Sequence, residues 1–141
     1  MKIERTVSFM LSKLAVAHRN LTTRAMNEIG LHSGQVFLLL ELWQNDGRRQ
    51  TDLAEAMQLT APTVNKILGG LLDAGLVVRE RLDGDARSTR IYLTEDGRAI
   101  RDAVEEQWIE LETQALAGLT ETEALLFRQL LEKLLGYSDD E

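Results

Sequence analysis

The chain has 141 residues, one proline, no cysteine and a formal net charge of −7, with 44% hydrophobic residues. That is one domain's worth of chain with enough apolar content for a buried core, and the absence of cysteine excludes disulfides, thiol redox sensing and thiolate metal sites. No apolar run approaches the roughly eighteen residues of a membrane span, and the N-terminus lacks the basic, apolar, then small-residue order of a signal peptide, so a cytoplasmic location without membrane contact is expected.

Residues Lys2–Ile29 are predicted to form one long helix. Ile3, Val7, Met10, Leu14, Leu21, Ala25 and Ile29 keep steps mostly of three and four residues, and Gly30 is a plausible stop. A helix this long has little to pack against in one small chain, so its stripe suits a partner chain. Ser33 is the expected cap of a second helix, Gly34–Asn45. Its VFLLLELW run is almost continuously apolar, which places it at the domain centre. Asn45-Asp46-Gly47 reads as a turn.

The stretch from Gly47 to Gly97 organises the rest. A short helix (Asp52–Met57) has its cap open between Arg49 and Thr51. A second helix (Ala61–Ala74) starts with Thr60 as N-cap and Pro62 in the first turn, where its missing N–H costs nothing. Val64, Ile67, Leu68, Leu71 and Leu72 form its apolar stripe, and Gly75 suits a left-handed C′ position. Gly69-Gly70 implies close approach of another backbone, a soft second half to the helix, or drift at a tolerant surface position. Two strand-like runs follow, Val77–Leu82 and Arg90–Leu93, joined by a charged turn at Asp83–Thr89. Helix, turn, helix and hairpin is the order of a winged helix-turn-helix, which sets its second helix in a DNA major groove. Thr63, Asn65 and Lys66 fall largely off the apolar stripe, as base and phosphate contact requires.

Thr94 is the expected cap of a long acidic helix, about Glu95–Ala117, with Ile100, Val104, Trp108, Leu111 and Ala115 on its apolar side and Gly118 as its end. Thr120 and Glu123 have capping-box spacing. The last helix, Glu121–Leu135, carries Leu125, Leu126, Leu130, Leu131, Leu134 and Leu135, more apolar surface than one face of a small domain buries. With the first helix it reads as a dimer interface.

The net charge has an uneven distribution. Residues 95–141 hold four basic and thirteen acidic residues, whereas residues 47–94 hold seven basic and six acidic. Phosphate responds to the local face, so a near-neutral reading head with clustered arginines remains able to bind DNA. The carboxylates Glu105, Glu106, Glu110 and Glu112 read as a solvated helix face. No glycine-rich phosphate loop, Gly-x-Ser-x-Gly or His-Glu-x-x-His is present, so no enzyme activity, cofactor or metal is expected. Two histidines, His18 and His32, are too few for a metal site.

The segments LAEAMQLTAPTVNKILGGLLDAGLVVR and DGDARSTRIYLTEDG, preceded by LHSGQVFLLLELW, resemble the MarR family of bacterial transcriptional regulators, in the right order and over nearly the whole chain. The resemblance implies a mainly α (α+β) fold, a winged helix-turn-helix with long N- and C-terminal dimerisation helices: residues 1–30 and 95–141 for dimerisation, residues 31–94 for DNA binding. It implies a homodimeric, sequence-specific regulator on double-stranded DNA, a repressor. In the family's Asp-x-Arg wing, arginine enters the minor groove; Arg87 matches it, and Asp85 matches the residue that positions the tip. Arg48, Arg49 and Arg90 are phosphate-contact candidates. Many family members are released by small aromatic or anionic ligands bound between the dimerisation helices and the winged unit; by position His18, His32, Phe37 and Trp108 line such a pocket, although a packed or surface role is the plainer reading of each. The missing cysteines argue against the family's peroxide-sensing branch. The rival reading, a winged-helix protein-interaction module without DNA binding, is motivated by the low net basicity and by Gly69-Gly70.

Overall fold

The computed structural model describes residues 1–81 and 89–138. Seven α-helices and three strands occur among them: α1 (Val7–Asn27), α2 (Ser33–Gln44), β1 (Arg48–Arg49), α3 (Gln50–Met57), α4 (Ala61–Asp73), β2 (Val77–Arg81), β3 (Thr89–Leu93), α5 (Glu95–Ala99), α6 (Arg101–Ala115) and α7 (Glu121–Leu135). The strands form one antiparallel sheet of order β1-β3-β2. Helix-turn-helix α3–α4 with this small sheet is the winged helix-turn-helix expected from the sequence.

The core forms around α2. Val36, Leu38, Leu39 and Leu42 are fully buried, and with them Met26, Leu53, Val64, Leu68, Leu71, Val77, Ile91 and Val104 make one cluster. Each such side chain contributes about 1.5–3 kcal/mol through removal from water. The nearly all-apolar sequence of α2 is therefore explained by contact with α1, α3, α4 and β3. Two side-chain contacts pin the same helix. The Trp43 Nε1–H donates to the Gly97 carbonyl at 2.9 Å, and Arg48 forms an ion pair with Glu41.

Several boundaries differ from the sequence expectation. The first helix begins at Val7, not Lys2, because the Thr6 hydroxyl accepts the Phe9 N–H and caps it there; Ile3–Arg5 is a separate 3-10 turn. The cap of α2 is His32 rather than Ser33, since the Gln35 side chain reaches back to the His32 N–H at 2.9 Å. Helix α3 starts two residues early, at Gln50, with Arg49 in the cap position and no side-chain cap bond. The strand β1 was not expected: Arg48 and Arg49 pair with Ile91 and Arg90 along the edge of β3. The long acidic helix is divided at Ile100 into α5 and α6, and it ends at Ala115, short of Gly118.

Other local expectations hold. Thr60, Thr94 and Thr120 each accept a backbone N–H as N-cap, and α7 spans the residues foreseen. Gly75 takes φ +72° at the end of α4. The twin glycines of α4 do not meet another backbone. A Cβ at Gly70 would strike the amide of Gln35, a side chain of α2, whereas one at Gly69 would meet nothing within 4 Å.

Candidate nucleic-acid interface

The local chemistry of α4 sets the site. The Thr60 hydroxyl accepts the Thr63 N–H at 3.4 Å and lies 2.9 Å from the Thr63 hydroxyl, which fixes the first turn. Val64, Leu68 and Leu71 turn into the core, and Thr63, Asn65 and Lys66 remain exposed. The three predicted α4 residues thus share one solvent-facing side of a capped helix. Asn65 has a partner that the sequence did not suggest: Gln50, in the first turn of α3, donates to its side-chain oxygen.

The predicted arginines separate into two groups. Arg49 is exposed at the sheet edge. Arg48 and Arg90 are half-buried and already engaged: Arg48 with the Glu41 carboxylate, and Arg90 through a 2.8 Å bond from its guanidinium to the Gly47 carbonyl. Both brace the turn between α2 and β1. Asp85 and Arg87 lie outside the described residues.

Arg79 and Arg81 were missed as contact candidates. They alternate with Val78 and Glu80 along β2 and pair with Ile91 and Thr89 on β3. A groove of about 710 Å³ opens between this strand and α4, lined by Gln50, Asn65, Gly69, Leu72, Arg79 and Arg81 among others. The period of two was the available signal; it puts both arginines on one face of the strand.

A second groove, of about 910 Å³, runs between α1, α6 and α7. His18 and Trp108 line it, together with Leu11, Leu14, Leu125 and Leu131. Phe37 meets Trp108 edge-on, with ring centroids 6.1 Å apart, from outside the groove lining. His32 is elsewhere, at the start of α2. Of the four predicted pocket residues, the structure therefore brings two into one groove and a third against it. Among the described residues no group of three or more acidic or histidine side chains is placed to hold a metal ion, and no helix is long and apolar enough to cross a membrane.

The family model for MarR matches residues 31–89, the span from just before α2 to the first residue of β3. The helix-turn-helix and sheet described above lie in or beside that span. Over that span the chain is similar to the MarR family. Relatives and solved structures extend the likeness to most of the chain. The HTH-type transcriptional repressor Rv2887 of Mycobacterium tuberculosis (strain ATCC 25618 / H37Rv) is 29% identical over 128 residues, 91% of this chain and 92% of the relative. The organic hydroperoxide resistance transcriptional regulator of Bacillus subtilis (strain 168) is 28% identical over 105 residues, 72% and 69% of the two chains. The crystal structure of Rv2887 in complex with DNA superposes with a TM-score of 0.79 at 26% identity, covering 92% of this chain and 97% of that one. The complex of Rv2887 with salicylic acid gives 0.76 at 28% identity, covering 95% and 99%.

Within the MarR fold, the Leu93-Thr94-x-x-Gly97 motif has a clear physical basis here. The Thr94 hydroxyl accepts the Gly97 N–H at 3.0 Å and donates to the Gly75 carbonyl at 2.7 Å. Gly97 lies so close to Leu76 that a Cβ would overlap the Leu76 carbonyl. One motif thereby caps α5 and ties it to the C-terminal end of α4.

Proposed function

We propose that this chain is a MarR-family, sequence-specific DNA-binding transcriptional regulator, a repressor that works in the cytoplasm as a homodimer on a pseudo-palindromic operator. The observation that carries this reading is the solvent-facing row Thr63, Asn65 and Lys66 on a capped, core-anchored α4, flanked by the arginines of β2. Thr63 and Asn65 meet base edges, Lys66 and Arg49 meet phosphates, and the wing residues Asp85 and Arg87 carry a minor-groove contact. Arg48 and Arg90 support this surface from inside the fold. Residues 31–94 form the reading head, and residues 1–30 and 95–141 supply dimerisation. The role is regulation rather than catalysis.

Dimerisation is supported by unpartnered apolar surface on both terminal helices. No residue of α7 is buried, and Leu126, Leu130 and Leu134 are 53%, 49% and 79% exposed along one line of the helix. Met10, Leu11 and Leu14 of α1 are exposed as well. The partner's helices fill the groove between α1, α6 and α7, which leaves His18 and Trp108 at the seam. A small aromatic anion, the class represented by the salicylic acid bound to Rv2887, acts at this seam by favouring one spacing of the two reading heads over another.

A DNA footprint tests the reading. Two protected half-sites with centres about 10 bp apart are expected, the spacing of successive major grooves on one face of the duplex. Protection of a single half-site, or none, would count against a dimer acting as a DNA reader.

A further inference from the structure

The two adjacent glycines of α4 have different surroundings. A Cβ at Gly70 would meet the terminal amide of the Gln35 side chain, which would have to shift to make room. Gly69 has no such neighbour: a Cβ there meets nothing within 4 Å. A glycine inside a helix costs about 0.8–1 kcal/mol relative to alanine, and no packing contact offsets that cost at position 69.

Gly69 lies instead on the wall of the 710 Å³ groove, one helical turn beyond Asn65. Across the groove stand Arg79 and Arg81, both exposed and two residues apart on β2. Among the described residues neither forms an ion pair. Leu72 and Ala54 supply the apolar part of the lining.

We propose that this groove is a cleft for the sugar-phosphate backbone of one strand of bound duplex DNA. Arg79 and Arg81 hold phosphate oxygens, and Gly69 is left bare so that the strand can enter. The proposal rests on the DNA-binding reading above and adds a subsite to it. Guanidinium groups suit this task because their planar donor forks match phosphate oxygens. Leu72 and Ala54 face the deoxyribose. A side chain at position 69 would occupy the space that the strand needs. Such contacts fix the register of α4 without reading sequence, so the cleft contributes alike to operator and to random DNA.

The test compares wild type, Gly69→Leu and the double variant Arg79→Ala/Arg81→Ala. The probes are a duplex selected from a random-sequence library by wild-type binding and a random duplex of equal length, each titrated at several salt concentrations. Gly69→Leu is expected to melt no lower than wild type, because leucine is the better helix former, yet to bind both duplexes about tenfold or more weakly. The double variant should flatten the log–log salt slope by about 1.8, two phosphate contacts at about 0.9 each. Wild-type affinity in Gly69→Leu, or an unchanged slope in the double variant, would overturn the cleft alone. A wild-type protein with no salt-dependent affinity for either duplex would overturn the DNA reading and the cleft together. If Gly69→Leu does not fold, the slope of the arginine variant decides.

Discussion

Gly97, in the first turn of α5, abuts the backbone carbonyl of Leu76, just after α4. The contact is between backbones, so no side-chain movement relieves it. Gly97→Ala is expected to destabilise the protein by about 1–3 kcal/mol, the usual range for overpacking a tight site. Thermal or urea denaturation measures this. A variant as stable as wild type would show that the α4–α5 junction opens easily, against the tight join described here.

Arg48 looks like a DNA contact by composition and acts as a brace by geometry. Its guanidinium is paired with Glu41 in a half-buried position. Arg48→Ala should therefore cost about 1–3 kcal/mol of stability through the lost charged hydrogen bond, while leaving the salt slope of DNA binding unchanged. Lys66→Ala should do the opposite, flattening that slope by about 0.9 with little change in melting. Denaturation curves paired with salt titrations of both variants check the assignment; a flatter slope in Arg48→Ala would return it to the DNA surface.

The capping box of α7 carries a pH dependence. The Glu123 carboxylate accepts the Thr120 N–H at 2.9 Å. That backbone bond, and next the bond with the Thr120 side chain, lower its pKa from the ordinary 4.5. A carboxylate whose folded pKa is depressed stabilises the fold above the unfolded value, and the contribution fades as pH falls through the folded value. The start of α7 is thus expected to loosen only below pH 4.5. Carbon-detected NMR titration should place the Glu123 midpoint below that value in wild type. Thr120→Ala should return it only part of the way, because the backbone N–H stays. A midpoint at or above the ordinary value in wild type would remove the charged box from the account.

The apolar line of α7 predicts the assembly. Leu126→Glu/Leu130→Glu removes two side chains that contribute about 1.5–3 kcal/mol each when buried. The dimer dissociation constant should then rise by more than about a hundredfold, at 1.4 kcal/mol per factor of ten. Sedimentation of the variant should show monomers at concentrations where wild type is dimeric. Because these leucines are exposed in the single chain, the monomer should keep its helical content. Persistent dimers would move the interface elsewhere.

The features legible in the sequence are those set by neighbours in the chain. Thr60, Thr94 and Thr120 could be read as caps because a cap bonds a group three residues away. The burial of α2 was readable because nearly every residue in it is apolar. What was not legible depends on distant partners. β1 consists of Arg48 and Arg49, which have no strand-like pattern; the free edge of β3 makes them a strand. Arg48 and Arg90 lose their apparent freedom to Glu41 and Gly47. Gly118 misled for a related reason: α6 closes at Leu116 without a left-handed residue. In the site, α4 was readable from its stripe, whereas the pairing of Gln50 with Asn65 brings α3 onto α4 across fifteen positions.

The central claim is that α4 and the arginines beside it form a DNA-reading surface despite a net charge of −7. Fluorescence anisotropy of wild-type protein, titrated on a library-selected duplex and on a random duplex of equal length across a range of salt, tests it most directly. The account predicts tighter binding to the selected duplex and, for both, affinity that falls linearly with log salt at about −0.9 per phosphate neutralised. Equal affinity for the two duplexes, or affinity indifferent to salt, would contradict it and favour a winged-helix module that binds protein instead.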